Sequence, residues 1–210
     1  MIRPTRLSRA FFRRPTLEVA RSLLGKVLVH NTSAGSTAGI IMEVEAYIGE
    51  ADPACHAASG LTTRNLPIYG LPGYAYVYLN YGMHYLLNAV TEPIGSPAAV
   101  LIREVRPLEG ETLMRKRRGC GQSLRGNPVG ASLCRGPGNL TRAFGITMNR
   151  NRSDLCGDQL YIEDRGLPAG RVECSSRIGI SAGTDRQWRF LSTLDGVTSS
   201  SARVNGPAQR

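Results

Sequence analysis

Lysine is nearly missing. Lys26 and Lys116 are the only two among 26 basic residues, so the other 24 are arginine. A mechanism through a lysine Schiff base therefore has two candidates at most. Cysteine is scarce and lacks a framework: Cys55, Cys120, Cys134, Cys156 and Cys174 contain no C-x-x-C pair. That spacing gives no support to zinc or iron–sulfur sites, and an odd count argues against a secreted disulfide scaffold, so a reducing interior is the expected setting. No run approaches the roughly 20 apolar residues of a membrane span. Neither a metal nor another cofactor is expected, and no membrane partner.

What is present describes one ordinary domain. The 210 residues are 41% hydrophobic and 20% charged, enough apolar content for a real core. The net charge of +10 suits a polyanionic partner, and arginine's rigid fork matches phosphate and base edges. The charge is unevenly spread. Residues 1–26 carry seven basic groups against one acid, and 115–150 carry eight against none. Residues 27–114 carry three against eight, and 151–210 eight against seven. An acidic middle between basic segments reads as a reaction centre flanked by phosphate-gripping surfaces; solvated basic faces are the simpler alternative.

The pattern along the chain predicts a mixed α+β domain, a curved and mostly antiparallel β-sheet flanked by helices. Strands are expected at 27–30, 38–48, 74–80, 83–90 and 98–105, and later at 159–163, 171–174 and 177–181. Helices are expected at 17–25, at 107–118 after Pro107, and at 138–145 after Gly136-Pro137-Gly138. The first 17 residues are Arg-rich and acid-free in the manner of a transit peptide, but Leu17–Lys26 reads as an amphipathic helix feeding a strand of the fold. Residues 1–8 and 199–210 are expected as loose ends, and 115–135 as a basic loop.

Several residues could carry chemistry. Period two puts Glu43, Glu45 and Tyr47 on one strand face, with Met42, Val44, Ala46 and Ile48 toward a core. Two carboxylates beside a phenol are a candidate acid/base site, although solvated glutamates on an exposed face are the simpler reading. Seven of the eight tyrosines lie between Tyr47 and Tyr85. Such a cluster often only supports a sheet, yet it is also how proteins stack unpaired bases, and Tyr81 at a turn tip could wedge into a duplex. A buried Asn88 or Arg103 would need partners, and the acidic middle supplies carboxylates for the guanidinium. The Gly-Pro-Gly stretch before Asn139 could aim amides at an anion, though such punctuation opens many ordinary helices.

In combination these blocks resemble the alkyladenine (3-methyladenine) DNA glycosylase family, the type without a helix-hairpin-helix. The matching stretches include Arg9–Leu24 (RAFFRRPTLEVARSLL), Glu43–Gly49 (EVEAYIG), His56 with Thr63-Arg64-Asn65, and Tyr76–Tyr78 (YVY). Tyr81–Asn88 (YGMHYLLN), Val100–Arg103 (VLIR), Gly136–Leu140 (GPGNL), Arg177–Ile180 (RIGI) and Trp188–Phe190 (WRF) follow in order. The resemblance covers about residues 9–191. It departs at Thr62-Thr63-Arg64-Asn65, where the family often has Thr-Pro-Arg-Asn, at Leu66–Tyr69, and at Gln187, positions that bear on loop shape and lesion range.

The resemblance implies a monofunctional glycosylase of base excision repair. It would flip damaged purines (3-methyladenine, 7-methylguanine, hypoxanthine, ethenoadenine) from duplex DNA and hydrolyse the N-glycosidic bond without a lyase step. By position, Glu45 resembles the general base and Arg103 the residue holding it. Tyr47, His56 and Tyr78 resemble the stacking walls, Asn88 the residue that disfavours guanine's amine, and Leu101 a lining residue. Tyr81 resembles the intercalating wedge, and Arg64, Gly136, Gly138 and Asn139 are candidate DNA contacts. Damaged duplex DNA is the implied partner, a monomer the implied state, and the cell interior (cytoplasm and nucleoid in a bacterium, nucleus in a eukaryote) the implied location. The competing reading is a non-catalytic nucleic-acid binder using its clustered Tyr and Arg; a metal-dependent nuclease is a weaker third.

Overall fold

The computed structural model describes residues 3–119 and 133–193. The order is β1 (Thr5–Arg6), α1 (Arg9–Phe12), α2 (Thr16–Leu23), β2 (Val27–Thr32), β3 (Gly35–Ile48), β4 (Ala75–Asn80), β5 (His84–Val90) and β6 (Ala98–Glu109). Then come α3 (Glu111–Arg118), α4 (Pro137–Phe144), β7 (Leu160–Asp164), β8 (Val172–Ser175) and β9 (Arg189–Ser192). Short 3₁₀ turns stand at His56–Ser59, Leu66–Tyr69 and Met148–Arg150.

The nine strands form one sheet in which every pairing is antiparallel, so the chain is an α+β domain as expected. The path runs β1-β7-β2-β3-β6-β5-β4, with β9 paired to both β3 and β8. Among the described residues no helix is long and apolar enough to cross a membrane.

Strand β3 is the hub. Its first half pairs with β2, Ala38–Ile48 with β6, and Glu43–Glu45 with β9. The β3–β6 register slips near Glu43, a bulge that lets Ile41, Val44 and Ala46 all reach the main core. Met42, predicted to point to that core, stands at the slip. Helices α2 and α4 close the core face with Val19, Ala20 and Leu23 from one and Leu140, Ala143 and Phe144 from the other. Helix α2 starts where the Glu92 carboxylate accepts from both the amide (3.1 Å) and the hydroxyl (2.5 Å) of Thr16. Helix α4 has Pro137 in its first turn and ends on Gly145 in the left-handed region.

Four expectations change. The helix predicted from 107 starts at Glu111, because Pro107–Glu109 extend β6; Pro107 needs no amide donor where it faces Gly39 at a register shift. The predicted basic loop begins inside that helix, with Arg115–Arg118 as its last turn, and residues 120–132 lie outside the described residues. No strand forms over 177–181, and β9 takes the place in the sheet. The loose end predicted over 1–8 gives way at Thr5–Arg6, which pairs with β7 and is followed by the buried Leu7. The tail 199–210 lies outside the described residues.

Candidate active site

Antiparallel pairing aligns one row across five strands: Tyr76 on β4, Asn88 on β5, Leu101 on β6, Glu45 on β3 and Arg189 on β9. Residues directly opposite each other in such ladders point to the same face. The neighbouring row brings Tyr47 opposite Ala99. Over these rows lies a pocket of about 290 Å³, small for a ligand site. Its lining includes Tyr47, His56, Tyr76, Tyr78, Asn88, Leu101 and Arg103, with Tyr81 at its edge and Pro137 from the start of α4.

The reading of solvated glutamates is overturned. Glu45 is fully buried. Its Oε2 accepts from the Tyr47 hydroxyl at 2.7 Å and from Arg103 Nη1 at 3.2 Å, and its Oε1 accepts from the amide of Ile178 at 2.7 Å. All three donors belong to residues that line the pocket, so the carboxylate stands directly behind the wall. A carboxylate offers about four acceptor sites, and three are filled by protein. Arg103 also gives its Nε to Glu43 at 2.7 Å, and Glu43 takes a second guanidinium from Arg189 at 2.6 Å. Burial works against the charge on Arg103, but Glu45 and Glu43 more than offset it and hold its pKa above the ordinary value. Burial, reinforced by the Glu45 charge, keeps the Tyr47 phenol protonated far above its usual range.

The aromatic wall is a separate small cluster of Cys55, Ala57, Ile68, Tyr76, Val90 and Ala99, with Tyr47, Tyr69 and Tyr78 packed on it. The His56 ring meets Tyr78 edge-on at 4.5 Å, and its Nδ1 lies 2.8 Å from the Tyr76 hydroxyl. Burial, helped by the charge of Arg64, lowers the His56 pKa, so the ring is neutral at pH 7. Burial pushes the Tyr76 phenol up to about 12. Asn88 donates Nδ2 to the Tyr76 carbonyl at 3.1 Å, which satisfies its buried amide. Tyr74 lies apart from this wall and stacks under Arg9 at 4.7 Å.

The β4–β5 hairpin carries Tyr81 and Gly82 at its tip with φ of 49° and 69°, closed by a bond from the Met83 amide to the Asn80 carbonyl. Two positive φ angles in sequence make this a type I′ turn, where Asn, Asp or Gly is the usual first residue. A tyrosine there is strained, and it is 81% exposed. Arg64 flanks the pocket, its guanidinium 5.7 Å from the Tyr78 ring centre and Nη2 3.4 Å from the Leu79 carbonyl. Gly136 precedes α4, and a Cβ on Gly138 would lie 2.8 Å from the His84 ring, so only glycine fits. The Asn139 amide is taken by Arg118 and by the Arg135 carbonyl.

Sequence reasoning missed four supports. Asn65 bonds the carbonyls of His56 and Gly60, both at 2.8 Å, and pins the loop that presents His56. Asp52 and Arg177 form a fully buried ion pair behind Tyr47, and Ile178 supplies the amide on Glu45. The blocks Thr63-Arg64-Asn65 and Arg177–Ile180 carry the signal for Asn65, Arg177 and Ile178; Asp52 lies in none. Among the described residues no group of three or more His, Cys, Asp or Glu side chains is placed to hold a metal.

Comparison with known proteins bears on this geometry. The family model described as methylpurine-DNA glycosylase matches residues 10–195. Relatives carrying the name "Putative 3-methyladenine DNA glycosylase" come from Chlorobium phaeobacteroides (strain BS1), 48% identical over 88% of this chain and 90% of the relative, and from Methanocella arvoryzae, 49% identical over the same shares. One from Rubrobacter xylanophilus is 46% identical over 90% of this chain and 94% of its own length. The chain therefore belongs to the methylpurine-DNA glycosylase family and is a DNA glycosylase, a hydrolase of the N-glycosidic bond.

Proposed function

We propose that this enzyme excises 3-methyladenine, 7-methylguanine, hypoxanthine and ethenoadenine from duplex DNA, with Glu45 as general base. The observation that carries the reading is the buried Glu45 carboxylate, held by three residues of one aromatic pocket while about one acceptor site stays free. A duplex hides the anomeric carbon, so the nucleotide must leave the stack, at a cost of a few kcal/mol that is smallest for poorly paired, damaged bases. Tyr81 fills the gap. The base stacks between Tyr47 on one side and His56 and Tyr78 on the other, with Leu101 beneath it. Asn88 disfavours the exocyclic amine of normal guanine.

An alkylated, cationic base departs without an acid and gains cation–π attraction from the tyrosines. Glu45 takes a proton from a water that attacks the oxocarbenium-like sugar, and Arg103 keeps the carboxylate in place. Neither lysine lines the pocket, which favours water over an amine nucleophile and leaves no lyase step. Arg64 and the amides of Gly136 and Gly138 meet phosphates at the mouth, and Asn139 contributes through the two arginines it holds. The protein works as a monomer inside the cell.

The test is release of free base from duplexes containing hypoxanthine or 3-methyladenine, in the presence of EDTA. Wild-type protein releases the base, and Glu45→Gln binds the lesion without releasing it. Wild-type binding with no release would leave a non-catalytic binder, and release sustained in Glu45→Gln would remove the general-base role.

A further inference from the structure

Arg177 lies 132 residues after Glu45 in sequence and touches the site from behind, against the Tyr47 ring. Its side chain and that of Asp52 are completely buried. The two form a bidentate pair, Nη1 to Oδ2 at 2.6 Å and Nη2 to Oδ1 at 2.8 Å. Nη1 also reaches the Ala46 carbonyl at 3.0 Å, and Nη2 lies 3.4 Å from that of Gly183. The guanidinium also stacks against two rings, Tyr47 at 4.7 Å from the ring centre and Trp188 at 5.2 Å. Its Nε is buried without a hydrogen-bond partner.

Asp52 has work beyond this pair. It accepts the amides of Ile48 and Ala54, both at 3.2 Å, and so fixes the turn that leads from β3 to His56. Burial alone would raise its pKa, but the Arg177 fork and these amides outweigh burial and keep it ionised. The residue after Arg177, Ile178, donates its amide to Glu45 at 2.7 Å. No strand holds Ile178 there, since β9 begins only at Arg189. The aim of that amide therefore depends on where Arg177 is pinned.

Resting on the general-base reading of Glu45, we infer that the Asp52–Arg177 pair is the positioning device of the reaction. It sets the orientation of the Glu45 carboxylate through Ile178 and backs the Tyr47 wall. Tyr47 keeps two further anchors, its hydroxyl bond to Glu45 and its packing in the aromatic cluster. The Ile178 amide has none comparable. Loss of the pair therefore slows bond cleavage much more than it weakens capture of the flipped base.

The experiment uses the full chain and a duplex with one ethenoadenine, whose fluorescence reports capture, with base release followed under single turnover. Arg177→Lys keeps a charge but loses the fork and the flat stacking surface. Its release rate at saturating enzyme falls about 10–100-fold, while the enzyme concentration for half-maximal capture changes less than about 3-fold. Asp52→Asn keeps the volume and one acceptor, and shows the same split at about 3–10-fold. Release and capture falling together in both variants, in step with the melting temperature, would make the pair purely structural and overturn the inference. Unchanged release in a folded Arg177→Lys would overturn it as well. Capture without release by the wild-type protein would instead sink the excision reading, and the inference with it.

Discussion

The two faces of strands β3, β4, β5 and β6 are made by alternate residues of the same strands and have opposite characters. On one face Val44, Ala46, Val77, Leu87, Ala89, Val100 and Ile102 are completely buried under α2 and α4. On the other, Tyr47, Tyr76, Tyr78, Asn88 and Leu101 line an open pocket. The aliphatic face is filled to closure, as stable cores are. The aromatic face fixes its rings with hydrogen bonds and ion pairs, namely Tyr76 to His56, Tyr47 to Glu45, and Arg177 to Asp52. Stability and chemistry are thus separated by a single peptide rotation. Among the described residues the first face leaves no cavity for a ligand, while the second keeps one of about 290 Å³ open.

The strongest way to break this comparison is a pair of substitutions, one on each face. Glu45→Gln removes the proposed base and lowers single-turnover excision by about 10²–10⁴-fold. The fold survives, because Arg103 retains Glu43 as its counter-ion. Phe144→Ala opens the closed face and costs about 3–5 kcal/mol. Denaturant unfolding would read that loss, and the ratio of excision rates for two different lesions stays at its wild-type value. A changed ratio in Phe144→Ala would show that the faces are coupled.

Most of this division was legible from alternation alone, because Val44 and Ala46 interleave with Glu45 and Tyr47. The burial of Glu45 was not legible. Its partners Arg103 and Ile178 are 58 and 133 residues away, and no local pattern reports a contact across that span. The segment 177–181 reads as a strand for a related reason. Its apolar alternation is real, but the Ile178 amide goes to a carboxylate and not to a strand partner. Pro107 reads as a helix start, and only the facing register shift at Gly39 shows that a residue without an amide proton fits in β6.

Tyr81 sharpens the comparison with a smaller effect. It sits at φ 49° with most of its surface in water, so it costs stability where it stands. Tyr81→Gly relieves the strain and stabilises the free protein by up to about 1 kcal/mol. The same change weakens capture of the extruded base more than it weakens binding to undamaged DNA. Ethenoadenine fluorescence set beside unfolding curves checks both halves. A variant that loses stability, or that loses both kinds of binding equally, would remove the wedge role.

The smallest expected effect separates a buried histidine from a half-buried one. His30, buried on β2, donates Nδ1 to the Phe144 carbonyl at 2.8 Å and leaves Nε2 buried without a partner. Burial lowers its pKa, and the charges of Arg150 and Arg117 add to the shift. His56 is lowered by burial and by Arg64, but its ring borders the open pocket. In both cases the unfolded chain, with a His pKa near 6.5, binds a proton before the folded one does. Stability is then full above about pH 6.5 and declines as pH falls toward the folded value, by at most about 1.4 kcal/mol per pH unit per histidine. Water in the pocket can solvate a proton on His56, whereas Nε2 of His30 has no acceptor within reach. Urea unfolding at pH 7.5 and 5.5 should therefore lose more of its pH dependence in His30→Asn than in His56→Asn. Asn keeps a donor near the Nδ1 position, so the His30 variant still satisfies Phe144. Equal losses in the two variants would mean that the pocket face is as closed to water as the core.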